Sequence, residues 1–180
     1  MNPTHARETK LRRRIRLWTW VMIGGLVVSG VTALPLQTEL EMLARWLGAE
    51  HLAPEQAASG FVKWILLVRD ALHATNAQFP FLAYGTDWLA FAHLVIALAF
   101  VGPLRHPVRN AWLFTFGMMA SVLIIPWAHI TGEVRDIPIY WRLIDCSFAV
   151  GGFIPCWLCA RWTRELERTV AARMNEDSRR

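Results

Sequence analysis

Residues 12–36 read RRRIRLWTWVMIGGLVVSGVTALPL. Arg12, Arg13, Arg14 and Arg16 stand immediately before residues 17–36, a run with no charged side chain. About 20 apolar residues at roughly 1.5 Å rise each match the ~30 Å hydrocarbon core of a bilayer, so the run predicts a transmembrane helix. A secretory signal is the rival reading. The apolar run is long for one, and Thr32-Ala33-Leu34 makes a poor cleavage site, so the run is expected to remain as an anchor.

Three further segments have the same character: residues 86–104, 111–130 and 139–162. Within lipid, isolated segments of this kind satisfy their backbone groups only as helices. The composition agrees, with 54% hydrophobic residues and a mean hydropathy of +0.29 in 180 residues, more apolar surface than a soluble fold of this size needs to bury. The expected fold is an all-α membrane protein, a four-transmembrane-helix bundle with two amphipathic helices in the outer connection between spans one and two. Residues 1–16 form a basic cytoplasmic arm, 17–162 the membrane domain and 163–180 a cytoplasmic tail. The arm and the end of the tail are expected to be mobile.

Orientation follows from lysine and arginine, which resist translocation. Fourteen of the nineteen fall in the N-terminal arm, the 105–110 loop and the C-terminal tail; only Arg45, Lys63, Arg69, Arg135 and Arg142 fall opposite. Both ends are therefore expected in the cytoplasm. Indole rings favour the interface, and Trp18, Trp20, Trp112, Trp157 and Trp162 fall at the inner edge, Trp88, Trp127 and Trp141 at the outer. The net charge of +5 is spread between apolar runs instead of along one face, so nucleic acid is not an expected partner.

The outer connection, residues 37–85, is too long and apolar for a plain loop. Leu36, Leu40, Leu43 and Leu47 recur at helical spacing until Gly48; Pro54 and Glu55 then open a second helix with Phe61, Trp64, Ile65, Val68 and Leu72 on one stripe. Both are expected to lie at the membrane surface. Lys63, Arg69 and Asp70 leave too short an uncharged run for a fifth span.

Ionisable groups inside spans are costly, which singles out His93, Arg142 and Asp145. His93 lies roughly 10 Å below residue 86 and Asp145 roughly 9 Å below residue 139, both counted from the outer side. Ala90 and Ala97 flank His93 on its helix face, and Arg142 stands one turn from Asp145, a spacing at which the two can pair. With His129 and Glu133 they make a candidate outer-leaflet polar cluster. Its bland role is a network locking spans two and four together; its functional role is proton handling or ligand binding. Gly132 is expected to end or bend the helix between His129 and Glu133, and no convergence of three or four metal ligands is legible, so no metal is assigned. Bis-histidine haem ligation needs imidazoles at matched depth, which His93 and His129 do not offer.

Cys146, Cys156 and Cys159 all lie in one apolar segment. The Cys156/Cys159 pair in a four-span chain is similar to that of quinone-linked thiol oxidoreductases of the vitamin K epoxide reductase type. Those face the oxidising side, whereas this pair falls toward the reducing cytoplasm and reads as small packing residues. Gly25 with Ser29, and Gly117 with Ser121, are small pairs that let helices approach. Gly151, Gly152 and Pro155 are expected to kink or unwind span four.

Gly102-Pro103-Leu104-Arg105 with Pro107-Val108-Arg109-Asn110, and Ile137-Pro138 followed by Trp141 to Phe148, resemble segments of an uncharacterised bacterial family of small four-helix inner-membrane proteins. The resemblance covers roughly the second half of the chain. It implies a bacterial inner membrane and carries over no activity, catalytic residue or cofactor. No phosphate loop, nucleophile elbow or zinc-protease helix occurs. The expectation is therefore a multi-pass inner-membrane protein, non-enzymatic, binding a partner protein, lipid or small apolar ligand on its outer side. Its partners are the bilayer and a membrane protein or a second copy of the chain. The alternatives are a redox or quinone-interacting membrane enzyme and a small proton-coupled carrier, each using the outer cluster.

Overall fold

Proline and glycine punctuate the chain, and the helices between them set its architecture. A computed structural model describes residues 3–178, and among these no strand occurs. The helices are α1 (Pro3–Ala33), α2 (Leu36–Trp46), α3 (Gly60–Gln78), α4 (Tyr84–Ala99), α5 (Val101–Arg105), α6 (Trp112–Val134) and α7 (Ile139–Asp177), with 3-10 turns at Pro54–Gln56 and Pro80–Ala83. Four stretches are long and apolar enough to cross a membrane: Thr4–Ala33, Pro80–Arg105, Trp112–Val134 and Ile139–Asn175. Helix α3 is not one of them.

The chain divides into two units, one made of residues up to Gly25 with those from Ala97 onward, the other of Leu26–Ile96. In the first, α6 and α7 run antiparallel. A Cβ built on Gly117 would fall 2.5 Å from Cys156 Sγ, and one built on Gly152 would fall 2.5 Å from Ser121 Oγ. The expected Gly117/Ser121 pair is thus a contact surface. Gly152 completes it from the opposite helix. Helix α7 is unbroken through Gly151, Gly152 and Pro155, so the expected unwinding does not occur. Phe100 and Phe114 close the unit, both fully buried with ring centroids 6.3 Å apart. The break between α4 and α5 lies at Phe100, three residues before buried Pro103, whose ring and missing N–H disrupt the helix one turn upstream.

The basic arm and the tail are continuous helix with the spans beside them. At about 1.5 Å per residue, a 39-residue α7 is nearly 60 Å long, twice a bilayer core. The two helix ends pack antiparallel. Leu11, Ile15 and Thr19 of α1 are buried, as are Cys159, Thr163 and Leu166 of α7, and Cys159 Sγ lies 3.7 Å from the Ile15 carbonyl. Glu8, only 7% exposed, accepts from Arg12 and from Arg173, and Arg7 pairs with Glu165 at 2.7 Å. Buried apolar positions at helical spacing hold these ends together, and sequence reading had counted only their charge.

In the second unit, α2 ends in a Schellman motif. Gly48 adopts φ +65°, its N–H reaches Arg45 O, and the Ala49 N–H reaches Ala44 O. Ala44 and Ala49 then pack on Leu66 of α3. The second connecting helix begins later than expected: Pro54–Gln56 is a lone 3-10 turn, and Ser59 caps α3 by accepting from the Val62 N–H. Leu66, absent from the expected stripe, is fully buried because α2 covers it. Arg69 donates to the carbonyls of Glu50 and Leu52, fixing the α2–α3 loop.

Helices α1 and α4 meet in this unit at Gly30, where a Cβ would fall 2.9 Å from the Ala90 carbonyl oxygen and 3.1 Å from His93 Cβ. Gly25, expected to serve this purpose, meets nothing within 4 Å. Gly30→Ala should therefore destabilise by about 1–3 kcal/mol through overpacking against backbone, and Gly25→Ala should be neutral or stabilise by up to about 1 kcal/mol. Thermal unfolding of the two variants in detergent checks the opposite signs. Thr163 Oγ1 is buried without a hydrogen-bond partner, so Thr163→Val should raise stability by about 1 kcal/mol in the same assay.

Candidate functional site

The end of α6 and the start of α7 gather four of the five expected site residues. Helix α6 does not stop at Gly132 but continues to Val134. It ends in a second Schellman motif, in which Asp136 takes φ 53°, its N–H meets Glu133 O and the Ile137 N–H meets Gly132 O. Aspartate tolerates the left-handed region better than most residues, so no glycine is needed there. Gly132 serves packing instead. Its missing side chain leaves room for Arg142, whose Cδ and Nε would each lie 2.7 Å from a Cβ at that position.

Arg142 stands one turn from Asp145, a spacing that permits pairing, but its side chain turns toward α6. Its Nε donates to the Ile137 carbonyl at 2.7 Å and its Nη1 to Glu133 at 2.6 Å, with the side chain 13% exposed. The planar fork thus clamps the α6–α7 turn from inside. Reaching a carbonyl that the turn leaves free satisfies two polar groups at once, whereas folding back on Asp145 satisfies only charge.

Asp145 is left with neither a hydrogen bond nor an ion pair among the described residues. It is itself half-buried and lies on the same stripe of α7 as buried Ala149 and Cys156 and half-buried Gly152. An ionisable group in such a helix commonly marks function, since nothing in the local packing accounts for it.

His129 is held by its own helix, Nδ1 lying 2.9 Å from Ile125 O. Because a carbonyl can only accept, Nδ1 is the donor in that bond. Cys146 Sγ is 3.8 Å from the same Nδ1. Cys146 stands four residues after Arg142 and next to Asp145, with no motif spacing to mark it in the sequence. His93 belongs to the other unit, where Nδ1 bonds to Leu89 O at 2.8 Å, again within its own helix. Ala90, beside it, is buried at the Gly30 crossing.

Cys156 and Cys159 are both free thiols, fully buried and directed differently, the first toward Gly117 and the second toward Thr19 and Ile15. They fill space between helices. Among the described residues, no three His, Cys, Asp or Glu side chains are grouped to hold a metal ion.

Because the Arg142 clamp needs a fork, Arg142→Lys should cost about 1–3 kcal/mol by leaving the Ile137 carbonyl without its charged donor. Glu133 is 79% exposed, so Glu133→Gln should cost at most about 1 kcal/mol. Denaturation midpoints of the two variants test this ranking. Comparison with protein-family models, curated proteins and solved structures gives no match for this chain.

Proposed function

We propose that the chain is a multi-pass protein of the bacterial inner membrane, with both ends cytoplasmic, that works by binding a membrane-protein partner on its outer side. The observation that carries this reading is Asp145: a carboxylate without a partner, in a helix long and apolar enough to span the bilayer. In lipid, such a group is retained where a second molecule supplies a donor or a cation. A partner helix presenting lysine, arginine, histidine or a hydroxyl at matching depth would do so.

Several features support the membrane setting. The lysine and arginine distribution favours cytoplasmic ends, and the antiparallel packing of the first part of α1 on the last part of α7 brings those parts to the same end of their unit. Around the start of α4 lie two exposed edge-to-face pairs, Phe79 with Phe81 and Tyr84 with Trp88, which suit an interface between hydrocarbon and water. Trp46, 78% exposed at the end of α2, offers a further apolar contact on the outer side. The two connecting helices are read as lying along the membrane surface.

The redox reading has one observation in its favour, the approach of Cys146 to His129. It predicts a chromophore or bound quinone that the partner-binding reading does not.

A photoreactive residue in place of Ile144 or Phe148, exposed positions beside Asp145 on α7, should give a discrete crosslinked species in intact membranes. Asp145→Leu should abolish it while Asp145→Glu retains most of it, with thermal unfolding unchanged in both. Crosslinking that persists in Asp145→Leu would overturn the role given to the carboxylate. A stoichiometric visible absorption band or extracted quinone, lost in Asp145→Asn, would place the redox enzyme first.

A further inference from the structure

At the other end of α7 the charges are arranged differently. Where α1 and α7 pack together beyond the tryptophans, Glu8 pairs with both Arg12 and Arg173 and is itself buried. Arg7 neutralises Glu165 at 2.7 Å. Beside that pair, Arg161, Arg164 and Arg168 follow one another at i, i+3 and i+7, one face of the helix. Arg161 lies 5.9 Å over the Trp157 ring. Arg164 and Arg168 have no hydrogen bond, ion pair or ring contact among the described residues.

These residues line a cleft of about 420 Å³, bounded by Arg7, Arg161, Arg164, Glu165 and Arg168. A second cleft of about 470 Å³ shares Arg7, Glu165 and Arg168 with it and extends toward Thr169 and Ala172. Each is an open surface cleft that can admit a small anionic group. With four guanidinium groups against one carboxylate already engaged by Arg7, the first cleft carries a local excess of positive charge. Guanidinium forks match the oxygen geometry of phosphate groups and bind them through paired, charge-assisted hydrogen bonds.

From this we infer that the cleft between the beginning of α1 and the end of α7 is a binding site for a phosphate-bearing anion, gripped by Arg161, Arg164 and Arg168. The favoured source is the headgroup of an anionic phospholipid in the cytoplasmic leaflet. Trp157 and Trp162, with Arg161 and Arg14 against their rings, mark an interfacial level on α7. At about 1.5 Å per residue, Arg164 lies only about 3 Å along the helix from Trp162, within the headgroup layer. This choice of source rests on the membrane reading above; the phosphate chemistry does not. The site is separate from Asp145, nineteen residues away on the same helix.

The full chain, delipidated in an uncharged maltoside detergent, is titrated with phosphatidylglycerol, with phosphatidylcholine and, separately, with inorganic phosphate. Binding is read by native mass spectrometry and by tryptophan fluorescence. Three variants are compared: Arg164→Gln/Arg168→Gln, Arg13→Gln/Arg16→Gln, which removes the same charge from outside the cleft, and Asp145→Asn. Saturable phosphatidylglycerol binding, tighter than phosphatidylcholine, should weaken at least tenfold in the first variant, the loss expected on removing a charge-assisted hydrogen bond. It should change less than about twofold in the other two. Inorganic phosphate that binds with the same variant dependence, while phosphatidylglycerol does not, would keep the site and assign it to free phosphate. Equal weakening in both arginine variants, or no saturable binding of either anion, would overturn the inference. Because Asp145→Asn leaves this readout intact, failure here and failure of the partner-binding reading are separable.

Discussion

How closely two helices can approach is set by the smallest side chains between them, and in this protein the close approaches are carried by glycine. Gly117 admits Cys156, Gly152 admits Ser121 and Gly132 admits Arg142, so α6 and α7 are held together at three successive levels. Gly30 does the same for α1 and α4 in the other unit. In a lipid setting there is no hydrophobic force between apolar helices, and close packing with interhelical bonding takes its place. The arrangement of Arg142 at the α6–α7 turn depends on this constraint, since a Cβ at position 132 would occupy the space its guanidinium stem uses.

Polar groups in the long helices are mostly satisfied at home. The hydroxyls of Thr19, Ser121, Thr131 and Thr169 donate to the carbonyl four residues earlier, and His93 and His129 bond their own helices in the same way. A side chain that bonds its own backbone asks nothing of its neighbours. Against that background Asp145 is an exception, a carboxylate with no such option, because a carboxylate accepts but cannot donate to a carbonyl. Its lack of a partner is therefore informative in a way that the histidines are not. Local bonding separates His93 and His129 from the acid.

The charged ends of α1 and α7 show the same contrast between engaged and free groups. Charge is used structurally on one side of the pair, where Glu8 bridges Arg12 and Arg173, and left uncompensated on the other, where Arg164 and Arg168 face solvent. A rule that counts arginines to assign sidedness treats them alike. Packing distinguishes those that tie helices together from those free to meet an anion.

The sequence by itself determined the helical class, the four apolar stretches, the end of α2 at Gly48 and the starts of α6 and α7. Apolar run length, proline, and the glycine at position 48 act locally and need no knowledge of neighbours. The Gly117/Ser121 surface and the packing role of Cys156 and Cys159 were legible for the same reason: small residues in an apolar helix have few other uses. Only the tertiary structure decided which groups pair. Arg142 lies one turn from Asp145 in sequence and bonds Glu133 and the Ile137 carbonyl instead, since helix spacing fixes which side chains are near but not which acceptor a long guanidinium chooses. The same holds for Gly30 over Gly25, for the burial of Leu66, and for α1 and α7 packing beyond the apolar runs. Each depends on a partner element distant in the chain, and no local pattern encodes where that partner lies.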